Sequence, residues 1–212
     1  MKEFDDNYFV NRFGSDEKRL KSFDNEKKYI SSYVDFNGTV LDVGCSTGEF
    51  LDYLGWSGQK FGMEINRTAI KSAITKNISF DRDIFSSNNY FDTIIFRGTI
   101  QHLPDPFGYL INSLNSLKSK GIILLLATPN CESYIFRLTG TVPALDKPRV
   151  FYYPQPSCLE NFFSNHGCTV LSYRNPYLNC GYDNIIFDLL SFVKCHFRRK
   201  KAFPNFAWPG NN

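Results

Sequence analysis

The run Val40-Leu41-Asp42-Val43-Gly44-Cys45-Ser46-Thr47-Gly48-Glu49 places an acid just ahead of a turn of small residues bounded by two glycines. Small side chains let a ligand approach the backbone, and glycine accepts backbone angles that other residues resist. Residues 39–43 read as a short buried strand, and residues 49–54 as the start of a helix. A strand, a glycine turn and a helix start make a nucleotide crevice at the carboxyl end of a parallel sheet. Glu64 follows Asp42 by 22 residues and closes the next apolar segment. A carboxylate there can accept hydrogen bonds from both hydroxyls of a ribose, and a charged acceptor binds them more strongly than a neutral one. His102 is the third candidate, because imidazole changes charge near neutrality and suits base work. It can equally be a structural histidine bonded to a loop carbonyl.

These residues need a frame, and the chain supplies one from about 37 to 130. After the first strand and helix, residues 60–65 read as a second strand, with Gly62 allowing close packing. Asn66 is a candidate N-cap for a helix over 67–76, with Ala69, Ile70, Ala73 and Ile74 on its buried face. Residues 78–80 read as a third strand, leading into Asp81-Arg82-Asp83-Ile84. Residues 91–96 form a fourth strand, followed by Arg97-Gly98-Thr99-Ile100-Gln101-His102-Leu103-Pro104-Asp105-Pro106. The prolines punctuate that loop before a helix over 109–117. Residues 122–127 are a continuous apolar run, as in a strand buried on both faces. Alternating strands and helices predict a parallel sheet with right-handed crossovers.

Asp42-x-Gly44-x-x-x-Gly48, with Phe91-Asp92-x-Ile94 and the His102-Leu103 and Asp105-Pro106 pairs downstream, resembles the motifs of class I S-adenosylmethionine (SAM) dependent methyltransferases. The resemblance implies a Rossmann-like α/β fold with a mostly parallel seven-stranded sheet flanked by helices. It implies SAM as cofactor, S-adenosylhomocysteine (SAH) as product, and a cofactor site of Asp42, Gly44, Cys45, Ser46, Gly48, Glu64, Ile65, Asp83, Ile84 and Arg97. In that set Glu64 takes the ribose, Asp83 the adenine amino group, and Ile84 the ring. His102 falls beside the expected methyl position, and Tyr152 and Tyr153 are candidates for the acceptor. Some relatives hold a divalent metal near this histidine. Here Gly98 and Gln101 stand where carboxylates would be wanted, so no active-site metal is expected. The segment 97–102, with Thr128-Pro129-Asn130 and the ending Phe203 to Asn211, also resembles methyltransferases of bacterial surface-polysaccharide (capsule, O-antigen) biosynthesis. That would imply a sugar, sugar nucleotide or phosphorylated precursor as a small-molecule acceptor, methylated on oxygen. A dinucleotide fingerprint would need glycine at 46 and 49, where Ser46 and Glu49 stand, which argues against a nicotinamide-dependent oxidoreductase. A non-catalytic partner protein with the same fold is the other alternative.

The 212 residues suit one domain with a substantial core. Residues 1–36 read as an N-terminal helical lid, with Asp24-Asn25 as a candidate break. Residues 37–190 form the domain, and 131–155 an acceptor-side insertion rich in aromatics. A helix over 157–166 ends at Gly167, and a strand is expected over 168–173. Residues 183–197 are ambiguous between strand and helix. Six cysteines without a C-x-x-C pair suggest reduced thiols in a cytoplasmic protein. No apolar run is long enough to span a membrane, and the N-terminus is too acidic and polar for a signal peptide. The net charge is +3, yet Lys194, Arg198, Arg199, Lys200 and Lys201 alone contribute five positive charges, which leaves the remainder near −2. The tail, 191–212, is therefore the basic feature. It reads as solvated, as a contact to an anionic lipid surface, or as a site for a phosphorylated acceptor. Nucleic acid fits poorly. The oligomeric state is left open.

Overall fold

The computed structural model describes residues 16–139 and 150–175, together with Leu190 and Val193. Five strands form one sheet in the order β3-β2-β1-β4-β5. They are β1 (Val40–Val43), β2 (Lys60–Met63), β3 (Ile78–Ser79), β4 (Phe91–Arg97) and β5 (Leu117–Leu126). Every pairing is parallel. The helices are α1 (Asp16–Ile30), α2 (Glu49–Leu54), α3 (Arg67–Ile74), α4 (Pro106–Ser116), α5 (Tyr134–Thr139) and α6 (Pro156–Asn165). The order of strands reverses at β1, and a doubly wound sheet opens its ligand crevice at such a switch point.

Alternation along each strand splits the core in two. Val40 and Ile95 join Phe23, Ile30, Phe50, Leu51 and Trp56 on one face, beneath α1 and α2. Leu41, Val43, Ile94 and Phe96 join Ile84, Ile100, Leu110 and Leu159 on the other. Strands buried on both sides need apolar side chains at consecutive positions, which is why β4 carries Ile94-Ile95-Phe96 with none of the three exposed. Asn66 caps α3 as expected, its side chain accepting from the Ala69 N–H at 2.9 Å. Asp105 does the same for α4 through the Gly108 N–H at 3.0 Å, and Pro106 opens that helix, where a missing N–H costs nothing.

Several expectations give way. Asp24-Asn25 does not break α1, which is continuous over Asp16–Ile30. Asp24 instead turns its carboxylate to the Tyr53 hydroxyl at 2.6 Å. Ile74 is 55% exposed, so α3 buries a narrower face centred on Ala69 and Ala73. β5 begins at Leu117, with no loop between it and α4, and its register to β4 slips between Phe91↔Leu117 and Thr93↔Ile122. The slip is an irregularity of the bulge kind, with Lys120 at φ 68 inside it. Residues 168–173 pair with no described strand, and Val170, Leu171 and Tyr173 are exposed. The described sheet thus has five strands against an expectation of seven. Within 183–197, Leu190 and Val193 are helical. The rest of that segment, the basic stretch 194–201 and the ending 203–211 lie outside the described residues.

Candidate active site

The glycine turn is held to β2 by its own backbone. Gly44 and Cys45 both donate to the Met63 carbonyl, at 2.8 and 3.1 Å. Ser46 donates to Glu64 Oε2 at 3.0 Å. Gly44 has φ 77, and a Cβ there would collide with the Thr99 side chain. Only glycine lets the turn lie this close to the loop after β4. Gly48 has φ 75, and a Cβ there would collide with Ile78 Cδ1. The Cys45 thiol is buried against Gly62, and burial pushes it far above the usual thiol range. It is a packing residue of the turn and no nucleophile at neutral pH.

Glu64 spans the crevice mouth. Its Oε2 holds the turn, while its Oε1 accepts from the Ile65 and Asn66 N–H groups at 2.8 and 2.9 Å. Oε1 thereby uses both of its lone pairs, and Oε2 keeps one, so the group can still accept from a hydroxyl. Ile65 beside it is 78% exposed, an apolar surface at the same mouth. Asp83 caps its own turn, Oδ1 accepting from Phe85 N, Ser86 N and Ser86 Oγ. Ile84 is 1% exposed and belongs to the core. It has little surface left for a ring.

Asp42 is the most unusual group. It is buried, and its Oδ1 has no hydrogen-bond partner among the described residues. Burial drives its carboxyl up to about 7. The Arg97 guanidinium opposes that rise, while Glu64 and Glu26 add to it. Arg97 lies on the same face of the sheet, two positions along β4 from the residue paired with Asp42. The resemblance puts Arg97 at the cofactor, but its guanidinium is clasped by α1. Nε meets Glu26 Oε2 at 2.6 Å, and an Nη reaches Glu26 Oε1 at 3.1 Å and Ser22 Oγ at 3.2 Å. The Phe23 and Phe50 rings lie 4.5 and 5.0 Å from it, a cation–π arrangement. Arg19 pairs with Glu49 at 2.9 Å. Two ion pairs and an aromatic contact thus fix α1 along the edge of the crevice. No sequence signal announces the Arg97–Glu26 pair, because its members are 71 residues apart.

On the other side, the loop after β4 forms a 3-10 turn over Ile100–His102. Gln101 is buried, and its amide nitrogen lies 3.1 Å from the Gly98 carbonyl and 3.3 Å from His102 Nε2. The backbone carbonyl of Gln101 accepts from Phe151 and Tyr152, which docks the segment 150–154 beside His102. Tyr152 turns its ring to Phe107, 5.4 Å away. Its hydroxyl is buried beside the Cys158 thiol, outside hydrogen-bond geometry with any described group. Burial, then Cys158, push that phenol up to about 12. Tyr153 is exposed, with its ring near Phe136. The insertion is also more regular than its sequence suggests, since α5 lies within it. Among the described residues no three His, Cys, Asp or Glu side chains group as for a metal ion, and no helix is long and apolar enough to cross a membrane.

The turn, the Glu64 carboxylate and the partnerless buried Asp42 oxygen fit a nucleoside bearing a positively charged substituent. A family model described as a methyltransferase domain matches residues 13–173. Comparison with curated proteins returned no match. Among solved structures, the chain is similar to the YcgJ protein of Bacillus subtilis at 19% identity and TM-score 0.53, covering 68% of this chain and 66% of that one. The chain therefore spans just under two thirds of YcgJ. It is similar to a SAM-dependent methyltransferase of Archaeoglobus fulgidus at 19% identity and TM-score 0.56, covering 92% and 94%. It is also similar to the magnesium protoporphyrin IX methyltransferase of Synechocystis, determined with bound SAH, at 14% identity and TM-score 0.54, covering 71% and 73%. At these identities the structural likenesses carry the fold, that of SAM-dependent methyltransferases, and the family match carries the rest: the chain belongs to the methyltransferase-domain family.

Proposed function

We propose that this methyltransferase binds SAM through the glycine turn, Glu64, Ile65 and Asp83, and passes its methyl group to an oxygen of a small acceptor with His102 as general base. The observation that carries the cofactor half is Glu64, whose carboxylate joins the turn after β1 to the end of β2 with one Oε2 lone pair to spare. SAM brings an electrophilic methyl on a sulfonium, so the protein's task is alignment and exclusion of water. Gly44, Ser46 and Gly48 shape the cradle. Asp42 supplies negative potential at its floor, and the spare surface of Ile65 suits a base better than the buried Ile84. Arg97 acts from behind, through α1 and Asp42.

His102 lies past β4, next to the docked segment 150–154. An oxygen acceptor must lose a proton as it is methylated, and a nitrogen lone pair within reach takes it. Tyr153 and the exposed Phe151 line that side, with Tyr152 holding the segment from beneath. A sugar, sugar nucleotide or phosphorylated polysaccharide precursor is the acceptor class we favour. It rests on the resemblance of 97–102 and 128–130 to surface-polysaccharide methyltransferases. A cytoplasmic setting follows from such a substrate. We divide the chain into a lid over 1–36, a catalytic domain over 37–190 and a tail over 191–212. The test is transfer of labelled methyl from SAM to a pool of sugar nucleotides and sugar phosphates. Transfer to oxygen, lost in His102→Ala, supports the reading; transfer only to nitrogen or sulfur acceptors overturns its acceptor half.

A further inference from the structure

Thr99 stands between the two sides of the crevice and has no part in the proposed transfer. It is half-buried, just ahead of the 3-10 turn that ends at His102. Its backbone carbonyl accepts from the His102 N–H at 2.8 Å, and its hydroxyl donates to the Arg97 carbonyl at 3.2 Å. Its side chain rests on Gly44. A Cβ added to Gly44 would lie 2.5 Å from Thr99 Oγ1, 2.6 Å from Cγ2 and 3.1 Å from Cβ. Both γ atoms therefore press on the glycine turn where it carries no side chain. Threonine branches at Cβ and is stiff about χ1, so it fixes a separation more firmly than an unbranched side chain would.

We propose that Thr99 is a positioning residue, a spacer that sets the gap between the glycine turn, which carries the cofactor, and the turn that carries His102. This deepens the reading of the crevice as a SAM site with the acceptor beside His102, and rests on it. Methyl transfer needs the acceptor atom in line with the sulfonium, and a misplacement of about 1 Å can cost about 100-fold in rate. The proposed site takes its cofactor affinity from Glu64 and the backbone on the β1–β2 side, so the spacer acts on rate and spares affinity. Its shape matters more than its hydroxyl, because both γ atoms touch Gly44 and either can be carbon.

The first test is labelled methyl transfer by the full chain to the pool of sugar nucleotides and sugar phosphates. Thr99→Ala should lower kcat about 10- to 100-fold while the KM for SAM stays near wild type. Thr99→Val keeps both γ atoms and should restore most of kcat. Thr99→Ala at the wild-type rate overturns the proposal. So does Thr99→Val as slow as Thr99→Ala, which would put the effect on the hydroxyl, and so does a raised KM for SAM with kcat unchanged. The second test needs no acceptor and reads SAH titration and thermal unfolding. Gly44→Ala should weaken both, because its new methyl meets Thr99. Adding Thr99→Ala removes the two shortest of the three contacts and should recover most of the loss. The strain of alanine at φ 77 is common to both variants and cancels from the comparison. A loss that Thr99→Ala does not relieve overturns the proposal. Should Gly44→Ala fail to fold, a folded double variant is the same relief, and an unfolded one the same contradiction. If the wild type methylates nothing in the pool, the acceptor reading fails, while the second test still decides whether Thr99 sets the gap.

Discussion

Around the β1–β2 side of the crevice, backbone and carboxylate satisfy one another. Gly44, Cys45 and Ser46 donate to Met63 and Glu64, and Glu64 accepts three N–H groups. Around the β4–β5 side, side chains carry the geometry. Gln101 holds His102 and the segment 150–154, while Gln101 Oε1 and the Tyr152 hydroxyl have no hydrogen-bond partner among the described residues. A cofactor common to a whole family can be met by a site that backbone geometry fixes in advance. An acceptor that differs between enzymes has to be met by side chains, and buried polar atoms left over are where such a site reveals its own chemistry. Asp42 is the exception on the first side, a buried acid whose Oδ1 has no hydrogen-bond partner among the described residues.

The comparison is most open to attack at His102. His102→Ala should lower kcat by about 10²- to 10⁴-fold, the range of a lost general base, while SAH affinity stays near wild type. A fall in SAH affinity of comparable size would mean that the two sides are not separable.

Asp42 gives the next largest effect, and its sign is fixed. Its folded-state value of about 7 lies above the ordinary 3.8, so the folded chain binds this proton more tightly than the unfolded chain. Its contribution to stability is full below pH 3.8 and is lost as pH rises through about 7. Asp42→Asn should remove on the order of 2–4 kcal/mol of that decline, since each tenfold difference in proton affinity between the folded and unfolded chain is worth ~1.4 kcal/mol. Denaturant unfolding at several pH values reads it directly. An unchanged pH slope would show that Asp42 is paired in solution.

Glu64→Ala should weaken SAH about 100-fold, or ~2.7 kcal/mol, with some loss of stability because three N–H groups lose their acceptor. Smaller still is Glu26→Gln, at about 1–3 kcal/mol of stability. It unpairs the mostly buried Arg97, a change that costs more in deeper sites. Thermal unfolding and proteolysis between α1 and β1 would follow it.

One side of the crevice is readable in the sequence and much of the other is not, for a physical reason. Gly44, Gly48 and Glu64 hold the turn through backbone geometry, and such geometry leaves a motif. Asn66 and Asp105 are legible as caps on the same grounds. Arg97 resembles a cofactor residue because nothing nearby in sequence announces Glu26, Ser22 and Phe23 as its partners. Gln101 draws notice only as a position without a carboxylate, since its burial depends on tertiary packing. Ile74 fits helical periodicity, yet α3 meets the sheet along Ala69 and Ala73, so its register could not be read from spacing alone. Residues 168–173 have the composition of a strand, but a strand requires a neighbour, and none of the described strands provides one.

The most direct measurement is calorimetric titration of the full chain with SAH, with NADH as the control and Glu64→Ala alongside. Micromolar binding of SAH by the wild type, a loss of about 100-fold in the variant and no response to NADH are the results expected. Binding of NADH, or equal SAH affinity in Glu64→Ala, would contradict the assignment of this crevice.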